Sequence, residues 1–358
     1  MAYTTIDNPE LFFQTKLYTG TGSSNSITLD GSNVNMQPDW VWIKCRDDSH
    51  NHQVFDSVRG VHKRMRTDTD GAETESSESL KSFDSNGFTV GTQANVNASA
   101  SGDNSFVSWN WLAGGSSSSN SDGDITSTVS ANTTSGFSVV SYTGNGSTNQ
   151  TIGHGLGAIP DFIIVKQRNT TRNWPTYTKA LGNGVAFLDI GDAWAGGSSY
   201  QNYWYVSGMT SSTFGISNND NTNASSGTFI AYCFSAKQGY SKMGTYTGNG
   251  NADGAFLYTG FKPAFFMVKR TTSAGYNWLL YDNKRQVSFN VVDDFLYPDT
   301  SDVETTGNAN QSLDFLSNGI KFRGNGASSN GSGIVYLYMA FAESPFVTSG
   351  TKAAGTAR

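Results

Sequence analysis

The chain has 358 residues, 13% aromatic and only 15% charged, with 40 glycines and a formal net charge of −6. Soluble proteins are typically about 25% charged, so polarity here rests on Ser, Asn, Thr and Gly, and the aromatic content is too high for a solvated, disordered coil. The acidic balance argues against nucleic acid as a partner, which needs a basic face, and no apolar run approaches the roughly 18 residues of a membrane span, so membrane insertion is not expected.

The chain begins without the basic and apolar regions of an export signal, which predicts synthesis in a cytoplasm without passage through a membrane. Met1 to Lys16 reads as a docking arm. Leu17-Tyr18-Thr19-Gly20-Thr21-Gly22 then pairs an aromatic strand end with a Gly-rich turn, and Pro38-Asp39-Trp40-Val41-Trp42-Ile43-Lys44 reads as a strand that is apolar on both faces. Such a strand lies centrally in a sandwich or against a neighbouring domain, with Lys44 expected to emerge at the sheet edge. His50 and His52 form one His-x-His pair, which needs a third ligand before it can hold zinc. Phe106 to Trp111 closes this stretch as an alternating aromatic strand whose indoles should face the core.

All three markers return twice. Ser141-Tyr142-Thr143-Gly144-Asn145-Gly146 and Thr245-Tyr246-Thr247-Gly248-Asn249-Gly250 repeat the turn, at tyrosine intervals of 124 and 104 residues. Pro160-Asp161-Phe162-Ile163-Ile164-Val165-Lys166 and Pro263-Ala264-Phe265-Phe266-Met267-Val268-Lys269 repeat the apolar strand, each with lysine six residues after proline. Phe229 to Phe234 and Tyr336 to Phe341 repeat the closing strand. The longer first interval holds a Gly/Ser/Asn-rich stretch, 114–134, which reads as a flexible linker spanning about 25 Å.

Strand signals divided by Asn-Gly turns, with no convincing helical period, predict an all-β fold of three tandem β-sandwich repeats. Their expected bounds are 1–113, 135–238 and 239–347, with a C-terminal tail at 348–358. Repeat one should be separable, while repeats two and three abut. Cys45 and Cys233 fall in different repeats, so no disulfide framework is expected.

The strings Gln37 to Lys44, Phe55-Asp56-Ser57-Val58-Arg59-Gly60 and Ser82-Phe83-Asp84-Ser85-Asn86-Gly87-Phe88 resemble a repeat domain of virion and tail-associated proteins of marine cyanophages. Phe341-Ala342-Glu343-Ser344-Pro345-Phe346 and Thr356-Ala357-Arg358 resemble the ending of that family. Tyr281-Asp282-Asn283-Lys284 preserves the Phe-Asp-Ser-Val-Arg-Gly element only in part, and repeat two lacks it. The resemblance covers nearly the whole chain. It implies jelly-roll, lectin-like sandwiches on a phage particle and brings no catalytic residues with it.

Chemistry-bearing motifs are sparse. No Gly-x-Ser-x-Gly elbow occurs, and Gly153-x-Gly155-x-Gly157 lacks the lysine and helix start of a phosphate loop. Asp293 and Asp294 are adjacent and cannot alone form the separated carboxylate pair of a glycosidase. Asp68-Thr69-Asp70-Gly71, Asp122-Gly123-Asp124 and Asn218-Asn219-Asp220-Asn221 gather oxygen ligands that suit Ca2+, though none has EF-hand spacing, and no other cofactor is expected. Trp194, Tyr200, Tyr203 and Trp204 are the candidate carbohydrate-binding residues, because planar rings beside Asn202 and Gln201 can stack on sugars. The competing reading makes them interface filling between repeats.

Together these features predict a non-enzymatic structural protein of the virion surface, a capsid decoration or tail component. Its expected partners are other virion proteins and further copies of itself, as a homo-oligomer in the particle. The alternative is a tail-fibre adhesin that recognises a host-surface glycan.

Overall fold

A computed structural model describes residues 3–100, 102, 104–197, 200, 202–286 and 290–348, and the chain is nearly all β, in antiparallel sheets with no closed barrel. One strand order occurs in three successive modules. In the first, the opening strand Phe13–Thr19 pairs with the closing strand Ser105–Trp111, which pairs with Trp40–Cys45, which pairs with Gln53–Asp56. The second orders Phe137–Thr143, Thr228–Phe234, Phe162–Gln167 and Pro175–Thr178 in the same way. The third uses Ser241–Thr247, Val335–Pro345, Phe261–Arg270 and Leu279–Asp282. Pro263, which cannot donate to a ladder, sits in that last module at a register shift.

Alternation along the strands gives each sheet two apolar faces. Val41, Ile43 and Cys45 face outward onto Ile27, Phe88 and Val90 of a smaller sheet. Ile163 and Val165 lie over Ile152, Phe214 and Ile216, and Phe266 and Val268 over Leu257, Ile320 and Phe322. Cys45 and Cys233 are buried members of two of these outer cores and are not joined in a disulfide.

The inward faces meet one another. Trp40, Trp42, Trp109 and Trp111 of the first module share one buried cluster with Phe137, Trp174, Tyr232 and Phe234 of the second and Phe265, Trp278, Met339 and Phe341 of the third. Trp40 stacks on Tyr232 at 4.4 Å, Phe13 on Phe341 at 5.4 Å, and Phe234 meets Phe341 edge-on at 5.8 Å. The first module is therefore not the separable unit that its spacing suggested, because its inner tryptophans would be left in water without the other two.

Residues 114–134 also differ from the expected linker. They contain strands Ser118–Asn120 and Ser127–Asn132, which extend the second sheet beyond Phe137–Thr143. Backbone pairing to a free sheet edge holds this stretch, and its apolar side chains Ile125 and Val129 enter the second outer core. The described part of the N-terminal arm packs on its own chain: Ile6 enters the central cluster, and Thr4 Oγ1 donates to Gln238 O at 2.7 Å. Met1, Ala2 and tail residues 349–358 lie outside the described residues, and among the described ones no helix is long and apolar enough to cross a membrane.

The repeated Tyr-Thr-Gly-x-Gly turn has a specific packing cause. Tyr18, Tyr142 and Tyr246 each donate their hydroxyl to a backbone carbonyl, of Val96, Thr222 and Ser329, at 2.6, 2.7 and 2.6 Å. The next residue in each case is a fully buried asparagine whose Oδ1 accepts from the turn: Asn97 from Thr21 N, Asn223 from Asn145 N and Asn330 from Asn249 N. A Cβ on Gly20, Gly144 or Gly248 would stand 1.8, 2.4 or 2.5 Å from a backbone oxygen, so only glycine fits.

Candidate functional site

The junctions between modules hold buried charged and ring N–H groups. His52, Trp174 and Trp278 each stand directly before the hairpin strand of their module. Trp174 Nε1 donates to Thr69 O of the first module at 3.1 Å, Trp278 Nε1 donates to Phe187 O of the second at 2.8 Å, and His52 Nε2 lies 3.0 Å from Tyr297 O of the third. Because Trp42 Nε1 donates to His52 Nδ1 at 2.8 Å, the imidazole proton sits on Nε2 and His52 is a donor to Tyr297 O. Second bonds to first, third to second and first to third, so the contacts close into a ring. His52, half of the His-x-His pair, uses both ring nitrogens in this way. A parallel backbone ring joins Glu73 N to Arg168 O, Trp194 N to Thr271 O and Glu304 N to Arg46 O at 2.8, 3.0 and 2.8 Å.

Two junctions add buried charge. Between the first and second modules, Asp56 Oδ2 accepts from Arg59 Nε at 2.5 Å and Tyr232 OH at 2.8 Å, while Glu73 accepts from Arg59 Nη1 and Arg168 Nη2, both at 2.9 Å. Between the third and first, Asp282 Oδ2 accepts from Arg285 Nε at 2.6 Å and Trp109 Nε1 at 3.0 Å, while Glu304 accepts from Arg285 Nη1 and Arg46 Nη2, both at 2.6 Å. The partly preserved element around Tyr281 thus retains its working pair, and Asp-x-x-Arg was the sequence signal for it.

Between the second and third modules the corresponding positions hold Thr178, Leu181, Trp194, Thr271 and Met339. Strand register fixes the first match, since Thr178, Asp56 and Asp282 lie opposite Phe162, Trp40 and Phe265. Leu181 and Trp194 pack against the central cluster here, and no ion pair spans the site among these five residues. The same geometry is therefore closed once by apolar contact and twice by charge.

Lys44, Lys166 and Lys269 do not emerge at sheet edges; all three are fully buried. Alternation turns them inward, where backbone carbonyls receive the ammonium: Lys44 Nζ donates to Cys45 O at 2.6 Å and to Asp48 O at 3.2 Å, Lys166 Nζ to Asp70 O at 2.7 Å and to Arg172 O, and Lys269 Nζ to Tyr276 O. Near them lie the buried carboxyls Asp68, Asp189 and Asp299, of which Asp189 and Asp299 accept from Trp174 N and Trp278 N at 2.9 and 3.1 Å. Burial pushes Asp189 up to about 6 and raises Asp68 and Asp299. It lowers Lys269 and brings Lys44 and Lys166 down to about 8.

The pH consequence has a defined sign. A carboxyl whose folded pKa is raised adds stability that is fully present below its unfolded value of about 4 and is lost as pH rises through the folded value, here about 6 for Asp189. A depressed lysine acts at higher pH, with stability recovered as pH climbs from about 8 toward the unfolded value of about 10.4. In urea unfolding of wild type against Asp189→Asn, the stability advantage of the wild type should shrink between about pH 4.5 and 7.5. A gap that stays constant over that window would refute the assignment.

The proposed carbohydrate-binding residues do not form one exposed platform. Trp204 is only 1% exposed and packs in the second module's outer core against Tyr177, a correction to its reading as a sugar-stacking ring. A backbone bridge to Ile216 turns its indole inward. Trp194 fills the second–third junction, Tyr203 meets Phe187 edge-on at 5.8 Å, and Tyr200 stacks beside Tyr203 at 6.4 Å. Among the described residues no side-chain hydrogen bond joins Asn202 to this pair, and Gln201 lies outside them.

The oxygen-rich loops hold their own turns. Asp124 Oδ2 accepts from Thr151 N and Oγ1, Asn219 Oδ1 accepts from Asn221 N, and Asp68 Oδ2 accepts from Asn51 Nδ2. Among the described residues no three His, Cys, Asp or Glu side chains gather as a metal-holding group. A family model described as a domain of unknown function matches residues 8–345. No curated protein and no solved structure matches the chain.

Proposed function

The chain belongs to the DUF7483 family, and for this member we propose a structural, non-catalytic role on the surface of a bacteriophage particle, as capsid decoration or tail component. The observation that carries the reading is the ring-closed union of three modules around one aromatic core. Such a body is stiff without disulfides, and its buried ion pairs at two junctions join modules. The low charge, the Ser/Asn/Gly-rich surface and the resemblance to virion repeat domains support the same role. Its partners would be other virion proteins and neighbouring copies of the chain.

Cryo-electron microscopy of particles from a phage encoding this chain tests the reading. The expected result is a three-lobed body attached to capsid or tail, and mass spectrometry of purified particles that fails to find the chain would overturn it. Attachment to a host glycan is the second reading, favoured by two exposed aromatic side chains of the third module, Phe256 and Tyr258.

A further inference from the structure

The third module departs from the other two at one edge of its outer sheet. Strand Phe256–Tyr258 pairs with Gly319–Phe322 in the register by which Asn25–Thr28 pairs with Gly87–Val90 and Gln150–Gly153 with Thr213–Ile216. Leu257 is buried, as Ile27 and Ile152 are. Phe256 and Tyr258, 49% and 47% exposed, stand where the first module has Ser26 and Thr28 and the second has Thr151 and Gly153. The two other modules form this edge with small or polar side chains, so the fold does not require rings there.

Tyr258 is one wall of a pocket of about 300 Å³ that Tyr3, Lys237, Gln238, Lys242 and Gly260 complete. That volume is at the lower end of small-molecule sites, about 300–1,000 Å³. Lys242 Nζ donates to Tyr258 O at 2.7 Å and lies 5.1 Å from the centroid of the Tyr258 ring, and Tyr3 OH lies 3.3 Å from Tyr258 OH. Lys242 stands where the other opening strands have Gln14 and Ser138. The nearby Lys262 and Lys321 are paired with Glu343 and Asp253. Among the described residues Lys237 and Lys242 have no carboxylate partner, and partial burial lowers the pKa of both.

We infer that this pocket binds an acidic saccharide, with a sugar face on the Tyr258 ring and its carboxylate held by Lys242. A partly buried ammonium group beside the ring, with no carboxylate partner among the described residues, calls for an anion. A half-exposed ring beside the Tyr3 and Tyr258 hydroxyls suits a ligand that presents C–H groups on one face and hydroxyls at its rim. The inference deepens the attachment reading and is independent of where on a particle the chain sits.

Isothermal titration of the purified full chain with tri-galacturonate at low salt tests it, with neutral galactotriose and sodium sulfate as separate arms. Tri-galacturonate should bind at millimolar concentration or tighter, and galactotriose at least about tenfold more weakly. Tyr258→Ala and Lys242→Ala, both at accessible positions, should each weaken tri-galacturonate about tenfold, while the exposed-surface control Lys81→Ala leaves it unchanged. Absence of binding, equal binding of the neutral sugar, or variants that bind as the wild type does would each overturn the inference. Sulfate that displaces the probe while Tyr258→Ala has no effect would reduce the pocket to a plain anion site and overturn it as well. A negative result here leaves the particle assignment to its own test.

Discussion

Arg59→Leu should destabilise the chain by about 3–5 kcal/mol, because it leaves the buried carboxylates of Asp56 and Glu73 without their shared guanidinium. Arg59 also donates to Lys63 O at 2.9 Å and Val54 O at 3.1 Å, so two carbonyls lose partners too. The chain itself supplies the compensating design. At the second–third junction, Thr178, Leu181 and Trp194 replace Asp56, Arg59 and Glu73, and that junction closes without the charges. A chain carrying Asp56→Thr, Arg59→Leu, Glu73→Trp, Arg168→Thr and Tyr232→Met together, which also removes the donors that faced those carboxylates, should therefore regain at least about 1–2 kcal/mol relative to Arg59→Leu alone. Urea unfolding at neutral pH reads both values. If the five-position variant proves less stable than the single one, the junctions are not interchangeable and the correspondence is wrong.

Trp40→Ala is the second large effect, with an expected loss of about 3–5 kcal/mol. The indole touches Trp42 and Trp111 of its own module at ring distances of 5.8 and 4.5 Å, and Phe137, Tyr232 and Phe234 of the second at 5.8, 4.4 and 6.0 Å. Its removal opens a cavity at the meeting point of the sheets, so the damage cannot stay in one module. Calorimetry should show the main unfolding transition move down as a whole. A new, separate low-temperature transition that accounts for about a third of the unfolding heat would mean that the first module melts alone, and the common core would then contribute little to cooperativity.

The site was only partly legible beforehand. The Asp56 to Arg59 string could be seen as a motif, yet its matching pair at Asp282 and Arg285 was obscured because the flanking residues differ and only the Asp-x-x-Arg spacing is shared. Glu73, Glu304, Arg46 and Arg168 carried no signal, since each meets its partner across a junction between distant parts of the chain. Trp204 misled for a related reason: a tryptophan beside tyrosines and amides has the composition of a sugar platform, and burial decides which it is.

Sequence by itself determined the all-β class, the three markers and their order. Period-two alternation, glycine turns and apolar strands are local signals, and each marker reports the same local requirement: a tyrosine and a glycine clamped by a buried asparagine, then a strand buried on both faces. Tertiary structure alone decided what the inner faces cover. A doubly apolar strand is equally satisfied by any apolar neighbour, so nothing in Trp40-Val41-Trp42-Ile43 says that its partner is Tyr232 and Phe234 of the next module rather than another chain. Residues 114–134 became strands because a sheet edge with free backbone groups and an outer core for Ile125 and Val129 were beside them, and Lys44, Lys166 and Lys269 became buried because backbone carbonyls could receive them. Those choices depend on which distant segments are brought together, and only the assembled fold specifies that.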